Sequence, residues 1–301
     1  IPLRLVGSEM CIRDRSLIPV VMAKRSKIPI KTKQEIVMMR EAGKVASDVL
    51  QRTAEFIAAG KTTREVDEYA LSLIEEHKVK SAFYKYRDFP GYTCISMNEE
   101  VVHGIGGDRV IKDGDLVKLD VGVKRQGWIG DNALTVPVGK INGEQKRLLA
   151  VTEESLFVAI SHARSGAALY DLCGSVEDYV TKFGFTVVRD LVGHGVGRQL
   201  HEEPQVPNYH PGGKSPILKA GMILAIEPMI NAGVGTVDWL DDGWTVSTSD
   251  RRPSSHFEHT VLVTNGDPEI LTWRPRTALP EQLDIPPVSY THLTLPTNRE
   301  V

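Results

Sequence analysis

Carboxylate side chains occur in apolar, strand-like stretches where a hydrophobic core would not place them. Asp120 lies in the middle of an alternating run, and Asp131 follows at the mouth of the next strand, so a hairpin could bring the two together. Glu227 and Glu258 each have apolar neighbours in further strand-like runs. An ionised carboxylate buried alone costs on the order of several kcal/mol, so each needs a cation, a hydrogen-bond donor or a proton.

Three histidines accompany these carboxylates. His194 lies in the glycine-flanked turn 193–197, where the backbone can approach closely, His103 follows a strand-like run, and His201 begins a loop. Taken singly, each carboxylate or histidine has an ordinary explanation, such as an edge position, an ion pair or a loop histidine. Taken together, five of them form an oxygen-rich set with one imidazole: Asp120, Asp131, His194, Glu227 and Glu258.

This set of side chains favours metal-dependent hydrolysis. Carboxylate oxygen with a single nitrogen and no thiolate suits divalent Mn, Fe, Co or Zn. Four carboxylates can hold two cations that generate a nucleophile at neutral pH and polarise a scissile carbonyl. Other hydrolase and phosphate-binding motifs are absent, since the sequence has no GxSxG and no GK[ST] ending, and Gln205 stands where HExxH needs its second histidine.

Composition excludes several other classes of protein. The 301 residues carry 36 Lys and Arg against 39 Asp and Glu, a net charge of −3, which argues against a protein that holds nucleic acid by charge. No apolar stretch reaches the length of about 18 residues that a membrane helix needs. Cys11, Cys94 and Cys173 form no CxxC pair and indicate free thiols. We therefore expect a soluble cytoplasmic protein with no membrane and no specific nucleic-acid partner.

Helical and strand-like patterns occur twice along the chain. Capping boxes at Thr32 with Glu35 and at Thr62 with Glu65 begin the first helix pair. The remaining elements are predicted from periodicity: strands at 92–97, 116–123 and 134–138, helices at 148–160 and 176–183, strands at 186–189, 222–230 and 257–264, and a Pro- and Gly-rich loop at 204–213. The repetition predicts a duplicated α+β unit.

The two ends of the chain differ from the rest. Residues 1–21 lack periodicity and 281–301 lack a partner segment, and both resemble translated cloning sequence or a disordered extension more than folded protein. We expect residues 22–280 to form a single catalytic domain.

Ten short motifs then carry a resemblance to a known family. They are CISMNE at 94–99, VHGI at 102–105, DGD at 113–115, LDV at 119–121, GD at 130–131, GHGVG at 193–197, HEEP at 201–204, IEPM at 226–229, DGWTV at 242–246 and FEHT at 257–260. In this order they resemble the type I methionine aminopeptidases, which are pita-bread metallopeptidases. The resemblance covers 28–273 and implies a pita-bread fold, in which a pseudo-two-fold repeat of helix pairs packs on a curved, mainly antiparallel sheet.

The resemblance also implies roles for the candidate residues. Asp131 and Glu258 would bridge two divalent ions, Asp120 would hold one of them, and His194 with Glu227 would complete the other. The implied reaction removes the initiator methionine from nascent polypeptides when the second residue is small and uncharged. Glu227 would also accept a proton from the attacking water. His201 would contact the scissile carbonyl, and His103 would stabilise the intermediate at the amide nitrogen.

An apolar pocket for the methionine side chain is implied as well. Its family positions map onto Tyr86, Phe89, Cys94, Leu200 and Trp244, although each of these residue types is more often part of a core. The sequence departs from the family at three places: Leu200 replaces a frequent aromatic residue, Arg87-Asp88 replaces a small or glycine-containing run, and Asn132 replaces a hydroxyl residue. None of them removes a metal ligand.

Two other functions remain open on the sequence alone. A proline-directed metallo-aminopeptidase would share the site, but such relatives usually carry a large domain ahead of the region that begins near residue 28. A non-catalytic pita-bread binding module would have lost ligands, and all five are present. The family leads us to expect a monomer. The basic run 24–27 could touch the ribosome, or it could be a solvated terminus.

Overall fold

Two capping boxes begin the first helix pair, as predicted. The structure, a computed structural model, describes residues 27–277. In it the Thr32 hydroxyl accepts from the backbone of Glu35, and the Glu35 carboxylate accepts from the backbone of Thr32 at 2.9 Å, which starts helix α1 at Lys33–Phe56. Thr62 and Glu65 repeat the arrangement ahead of α2 at Thr63–Glu76. Cys11, residues 24–26 of the basic run 24–27, and the predicted end segments 1–21 and 281–301 lie outside the described residues.

A second helix pair follows in the other half of the chain. Helix α3 spans Gly143–Ser161, and a third capping box, formed by Asn142 and Gln145, begins it. This signal, which combines an amide cap with a glutamine, was not predicted. Helix α4 spans Leu169–Val180 and packs against α3. Short 3₁₀ turns lie at Tyr86–Asp88 and Thr181–Phe183.

Fifteen strands complete the described part of the chain. In chain order, β1 to β8 are Lys80–Ser81, Cys94–Met97, Glu100–Val102, Leu116–Arg125, Trp128–Pro137, Thr186–Val187, Gly193–Gly195 and Glu202–Val206. Strands β9 to β15 are Ile223–Ile226, Met229–Asn231, Val237–Trp239, Val246–Thr248, Ser254–His256, His259–Leu262 and Glu269–Ile270.

Each helix pair packs on antiparallel sheets formed in its own half of the chain. Strand β4 pairs with β1, β2 and β5, and α1 packs on the β4–β5 hairpin. The second half has a large sheet with the order β15-β14-β9-β7-β8 and a smaller one with the order β13-β10-β6. Helix α3 contacts β9 of the larger sheet and β10 and β13 of the smaller one. All pairings between these strands are antiparallel. The predicted α+β class and the repetition of helix pair and sheet are confirmed.

Close contact between α1 and β5 requires a glycine. A Cβ on Gly130 would lie 2.5 Å from the Ala42 carbonyl oxygen, well inside van der Waals contact. The helix can therefore approach the backbone of the strand that carries Asp131. Among the described residues, no helix is both long and apolar enough to cross a membrane.

One predicted strand is divided in the structure, since the run 222–230 forms β9 and β10, which are separated at Glu227 and Pro228. The predicted run 257–264 contains β14, and β13 precedes it as a strand that was not predicted, separated from β14 by Phe257 and Glu258. Strands β9 and β14 pair with each other in one sheet, whereas β10 and β13 pair in another. The chain thus passes from sheet to sheet at both glutamates, which apolar content alone does not indicate.

The prediction of a loop at 204–213 is wrong for its first residues. Residues Glu202–Val206 form β8, although Pro204 lies within them. Strand β8 is the edge of its sheet, and an edge strand tolerates a proline because one side of its backbone needs no ladder partner.

The face of β4 that carries Asp120 is covered by other parts of the molecule. Lys118, on the same face as Asp120, is buried, and its ammonium group donates to the carbonyl oxygens of Asn98 at 2.7 Å and Ser254 at 3.1 Å. The second half of the molecule covers this face, so a strand between two halves has no solvent side.

Candidate metal centre

The β4–β5 hairpin brings two of the candidate carboxylates onto one face. Asp131 pairs with Gly122, and Asp120 pairs with Ala133, so the two side chains are diagonal neighbours across the ladder. The sequence pattern predicts Asp131 at the mouth of its strand, whereas the residue lies within β5. The predicted hairpin is present, and both carboxylates line one cavity.

Two glutamates enter the same cavity from the sheet-to-sheet crossings. Ile226 pairs with His259 on one side of the crossing, and Met229 pairs with His256 on the other. Glu227 and Glu258 therefore face each other where the ladders are interrupted. The Glu258 backbone donates to the Ala133 carbonyl at 2.9 Å, which joins this half of the molecule to β5.

His194 belongs to strand β7, not to the predicted turn. It pairs with Ala225 of β9 and with Gln205 of β8. The flanking glycine Gly195 allows the backbones of β7 and β8 to approach closely, since a Cβ on Gly195 would lie 2.2 Å from the Glu203 carbonyl oxygen. The predicted close backbone approach is present, but between strands.

The His194 ring is oriented so that one nitrogen faces the carboxylates. Its Nδ1 lies 3.0 Å from the Gly195 carbonyl, so Nδ1 donates there and Nε2 keeps a lone pair. Nε2 lies 3.5 Å from Glu227 Oε1 and 3.8 Å from Asp131 Oδ2. Burial lowers the pKa of His194 to about 4, which keeps the imidazole neutral and able to act as a ligand.

The ligand atoms converge on a common point. One atom each from Asp131, His194 and Glu258 lies within 4.8 Å of the other two, and all three residues are buried. Asp120 and Glu227 lie outside this trio but line the same cavity. One carboxylate oxygen each of Asp120, Asp131 and Glu258 is buried without a hydrogen-bond partner. A buried acceptor without a partner costs about 1–3 kcal/mol, more when it is charged.

The carboxylates are poorly stabilised by the protein alone. Burial raises the pKa of Asp131 to about 7 and raises the pKa values of Asp120, Glu227 and Glu258 well above their usual range, with further contributions from mutual repulsion. A divalent cation supplies the missing positive charge and the missing partners together. The donor set present in the structure therefore fits divalent metal ions.

Residues outside the ligand set hold Asp131 in place. The Thr260 hydroxyl donates to the Asp131 carbonyl at 2.7 Å and accepts from the Asp131 backbone N–H at 3.2 Å. His256 is buried, with Nε2 3.4 Å from Glu227 Oε2. Neither residue was predicted. Their only local signal is that His256 and Thr260 are polar residues two positions before and after Glu258.

All twelve residues predicted for the site line one cavity of about 500 Å³. Phe89, Cys94 and Leu200 are buried in its wall, and Phe89 meets the Trp244 ring edge-on at 5.0 Å. Phe83 also lines the cavity and was missed, because an aromatic residue beside a strand is usually core. Burial and nearby carboxylates raise the pKa of the Cys94 thiol, so it contributes a neutral, apolar surface.

The two further histidines lie beside the ligand set. The His201 ring centre is 4.4 Å from that of His194, and His201 Nδ1 is 2.7 Å from the Tyr86 hydroxyl. The hydroxyl can donate to Nδ1, which leaves the proton on Nε2. His103 faces the Trp244 ring at 6.4 Å, and its Nδ1 is buried without a partner. Burial lowers the pKa of both histidines, so each is neutral with one N–H to donate.

Comparisons with known proteins identify a metallopeptidase family. Residues 37–265 match Metallopeptidase family M24. Methionine aminopeptidase 1 of Bacillus subtilis is 46% identical over 242 residues, which cover 80% of this chain and 98% of the relative. Methionine aminopeptidase of Escherichia coli is 41% identical over 256 residues, which cover 84% and 97%.

Solved structures show the same fold. The crystal structure of methionine aminopeptidase from Thermotoga maritima has a TM-score of 0.80 and 44% identity, covering 82% of this chain and 100% of that one. The prolidase from Pyrococcus furiosus is more distant, with a TM-score of 0.67 and 26% identity, covering 82% of this chain and 66% of that one. The predicted pita-bread fold is confirmed. The chain belongs to metallopeptidase family M24, as its resemblance to the methionine aminopeptidases predicted.

Proposed function

We propose that this protein is a methionine aminopeptidase, a metallo-exopeptidase that removes the initiator methionine from nascent polypeptides when the second residue is small and uncharged. One observation carries the proposal. The five candidate ligands, the two candidate substrate histidines and the apolar wall line a single cavity, in a chain that aligns with 98% of a methionine aminopeptidase.

In this proposal Asp120, Asp131, His194, Glu227 and Glu258 would hold two divalent ions, and Asp131 and Glu258 would serve both. When bound, the ions would lower the pKa of water and polarise the scissile carbonyl. Cobalt, manganese, iron and zinc all suit the donor set. The buried carboxylate oxygens without partners support this assignment.

The protein's own groups move the protons and orient the peptide. Glu227 accepts a proton from the attacking water. The neutral His201 donates Nε2–H to the scissile carbonyl while Tyr86 fixes its ring, which is supported by their 2.7 Å contact. His103 donates at the amide nitrogen, and its buried, unpartnered Nδ1 supports a place in the reaction and not in the core.

The apolar wall accounts for selection of methionine. A thioether offers little to hydrogen-bond, so shape and soft contacts must recognise it. Phe89 and Trp244 supply ring edges, and Cys94 and Leu200 complete the wall with Tyr86 at its rim. The proposal places the enzyme in the cytoplasm as a monomer acting on chains as they leave the ribosome, with no membrane or specific nucleic-acid partner.

Chelator-treated protein reloaded with Co²⁺ or Mn²⁺ should release methionine from Met-Ala-Ser and release no residue from an Xaa-Pro peptide. The two peptides separate the proposed activity from that of the prolidases, which share the fold at lower similarity. Free amino acid is measured in both reactions. Cleavage of only the Xaa-Pro peptide would replace the proposal with a proline-directed peptidase. Cleavage of neither by folded, metal-loaded protein would favour a binding module.

A further inference from the structure

A buried ion pair joins the segment before α1 to the residue that follows His201. Lys31 and Glu202 form this pair, and their side chains are only 7% and 12% exposed. Lys31 is 171 positions away from Glu202 in the sequence, and it does not line the cavity. The Lys31 backbone N–H is also fixed, since it donates to the Gly221 carbonyl at 2.7 Å. Lys31 is therefore held at both its backbone and its ammonium group.

The Glu202 carboxylate shapes the loop that carries His201. Its Oε1 accepts from the backbone N–H groups of Arg198 at 2.9 Å and Gln199 at 3.2 Å, while Oε2 accepts from Lys31. The loop 198–201 is thus closed onto the side chain of the residue that follows it. Lys31 balances the charge of a carboxylate that would otherwise be nearly buried without a cation.

The packing around the pair leaves little freedom. A Cβ on Gly197 would lie 2.5 Å from Lys31 Nζ and 2.6 Å from Glu202 Oε1, so the pair rests directly on the backbone. The Gly197 carbonyl accepts from the backbone N–H of Ile129 at 2.9 Å, and Ile129 belongs to β5, two residues before Asp131. The ion pair therefore connects the loop to the strand that carries a candidate ligand.

The loop delivers two groups to the cavity. Leu200 forms part of the wall, and His201 contacts Tyr86 and His194. We propose that Lys31 is a positioning residue, which acts through Glu202 to hold the loop 198–201 so that His201 meets the scissile carbonyl. This inference rests on the proposed function, because it concerns the peptide that His201 contacts.

A double-mutant cycle tests whether Lys31 acts through His201. Lys31→Met should lower kcat/KM for Met-Ala-Ser about ten- to a hundredfold, because small misplacements of a reacting group have effects of this size. In a His201→Ala background the same change should cost less than about twofold, since the group it positions is gone. Lys31→Arg should restore most of the activity. Equal losses in both backgrounds, or no loss at all, would overturn the proposal.

Two further variants serve as a control and as an alternative to Lys31→Met. Lys33→Met removes an exposed lysine two positions further on and should leave kcat/KM unchanged. Glu202→Gln keeps the volume and one acceptor but removes the charge, so it gives the same cycle if Lys31→Met does not fold. Additive losses for Glu202→Gln and His201→Ala would likewise overturn the proposal.

A readout independent of activity separates this inference from the proposed function. In histidine-ring NMR spectra, Lys31→Met should shift or broaden the ring signals of His201 and leave those of the exposed His162 unchanged. Unchanged His201 signals would overturn the positioning role, even in a protein that releases methionine. Altered His201 signals in a protein that releases none would support the positioning role and count against the proposed function.

Discussion

Asp131→Asn is expected to lower methionine release at least about a thousandfold, a loss of about 4 kcal/mol of transition-state stabilisation. Asp131 lies in the trio of converging ligand atoms, and one of its oxygens is buried without a partner. An amide keeps the shape of the side chain and removes the charge that would be shared between two ions. Both metal content and turnover should therefore fall, as measured by elemental analysis and by methionine release from Met-Ala-Ser.

The stability of the metal-free protein separates this effect from damage to the fold. Burial raises the pKa of Asp131 to about 7, against about 3.9 in an unfolded chain. Between these values the folded protein binds more protons than the unfolded chain, so its stability falls as the pH rises. Asp131→Asn removes this penalty. Above about pH 7, the metal-free variant should unfold at a temperature no lower than the metal-free wild type.

Asp108→Asn is the matched control, because that carboxylate is 90% exposed and pairs with Arg64 in solvent. It should leave activity, metal content and stability unchanged. Turnover at the wild-type level in Asp131→Asn would show that Asp131 does not bridge the ions. Loss of activity with full metal content would assign Asp131 to another role.

His201→Ala is expected to lower kcat about a hundred- to a thousandfold, the usual cost of removing a donor to the developing charge. The metal content should stay at the wild-type level. His201 lies beside the ligand His194, with ring centres 4.4 Å apart, but its Nδ1 is directed to the Tyr86 hydroxyl. Kinetics with Met-Ala-Ser and elemental analysis of the same preparation measure the two effects.

Tyr86→Phe is expected to lower kcat in the same way as His201→Ala, but by less. Loss of the 2.7 Å contact leaves the His201 ring in place but less well oriented, so the decrease in kcat should be smaller than for His201→Ala. An exposed histidine, His162, supplies the control His162→Ala, which should have no effect. A loss of metal equal to the loss of activity in His201→Ala would instead make His201 a ligand or a structural residue.

The ligand residues could be predicted because each violates a local rule. A carboxylate between apolar strand residues has no ordinary partner, and four such positions indicate a shared cation. Asp120 and Glu227 are examples of such carboxylates. Asp120 has buried apolar neighbours within β4, and Glu227 directly follows the buried strand β9. The capping boxes at Thr32 and Thr62 were equally visible, since each combines a threonine with a glutamate three positions later.

The sheet crossings could not be predicted in the same way. The run 222–230 is apolar throughout apart from Glu227 and Pro228, and nothing local shows that β9 and β10 pair with strands in different sheets. The five prolines and glycines of 204–213 predict a loop, whereas its first residues belong to β8, in which only the edge position makes Pro204 acceptable. Sheet order depends on which distant segments meet, and composition does not record that.

Supporting contacts were beyond sequence analysis for a related reason. Thr260 and Asp131 are in contact although 129 positions separate them in the sequence, and 171 positions separate Lys31 from Glu202. A threonine in a strand or a lysine before a helix is ordinary in its own surroundings. Its role depends on the partner that the fold supplies from the other half of the chain.

Titration of the chelator-treated protein with Mn²⁺ or Co²⁺, with bound ions and methionine release followed together, tests whether the converging carboxylates and His194 hold the ions that make the cavity a peptidase. We expect no methionine release from the metal-free protein, activity that rises with bound metal, and saturation at two ions per chain. Full methionine release by protein shown to be free of metal would show instead that the cavity needs no ions for peptide hydrolysis.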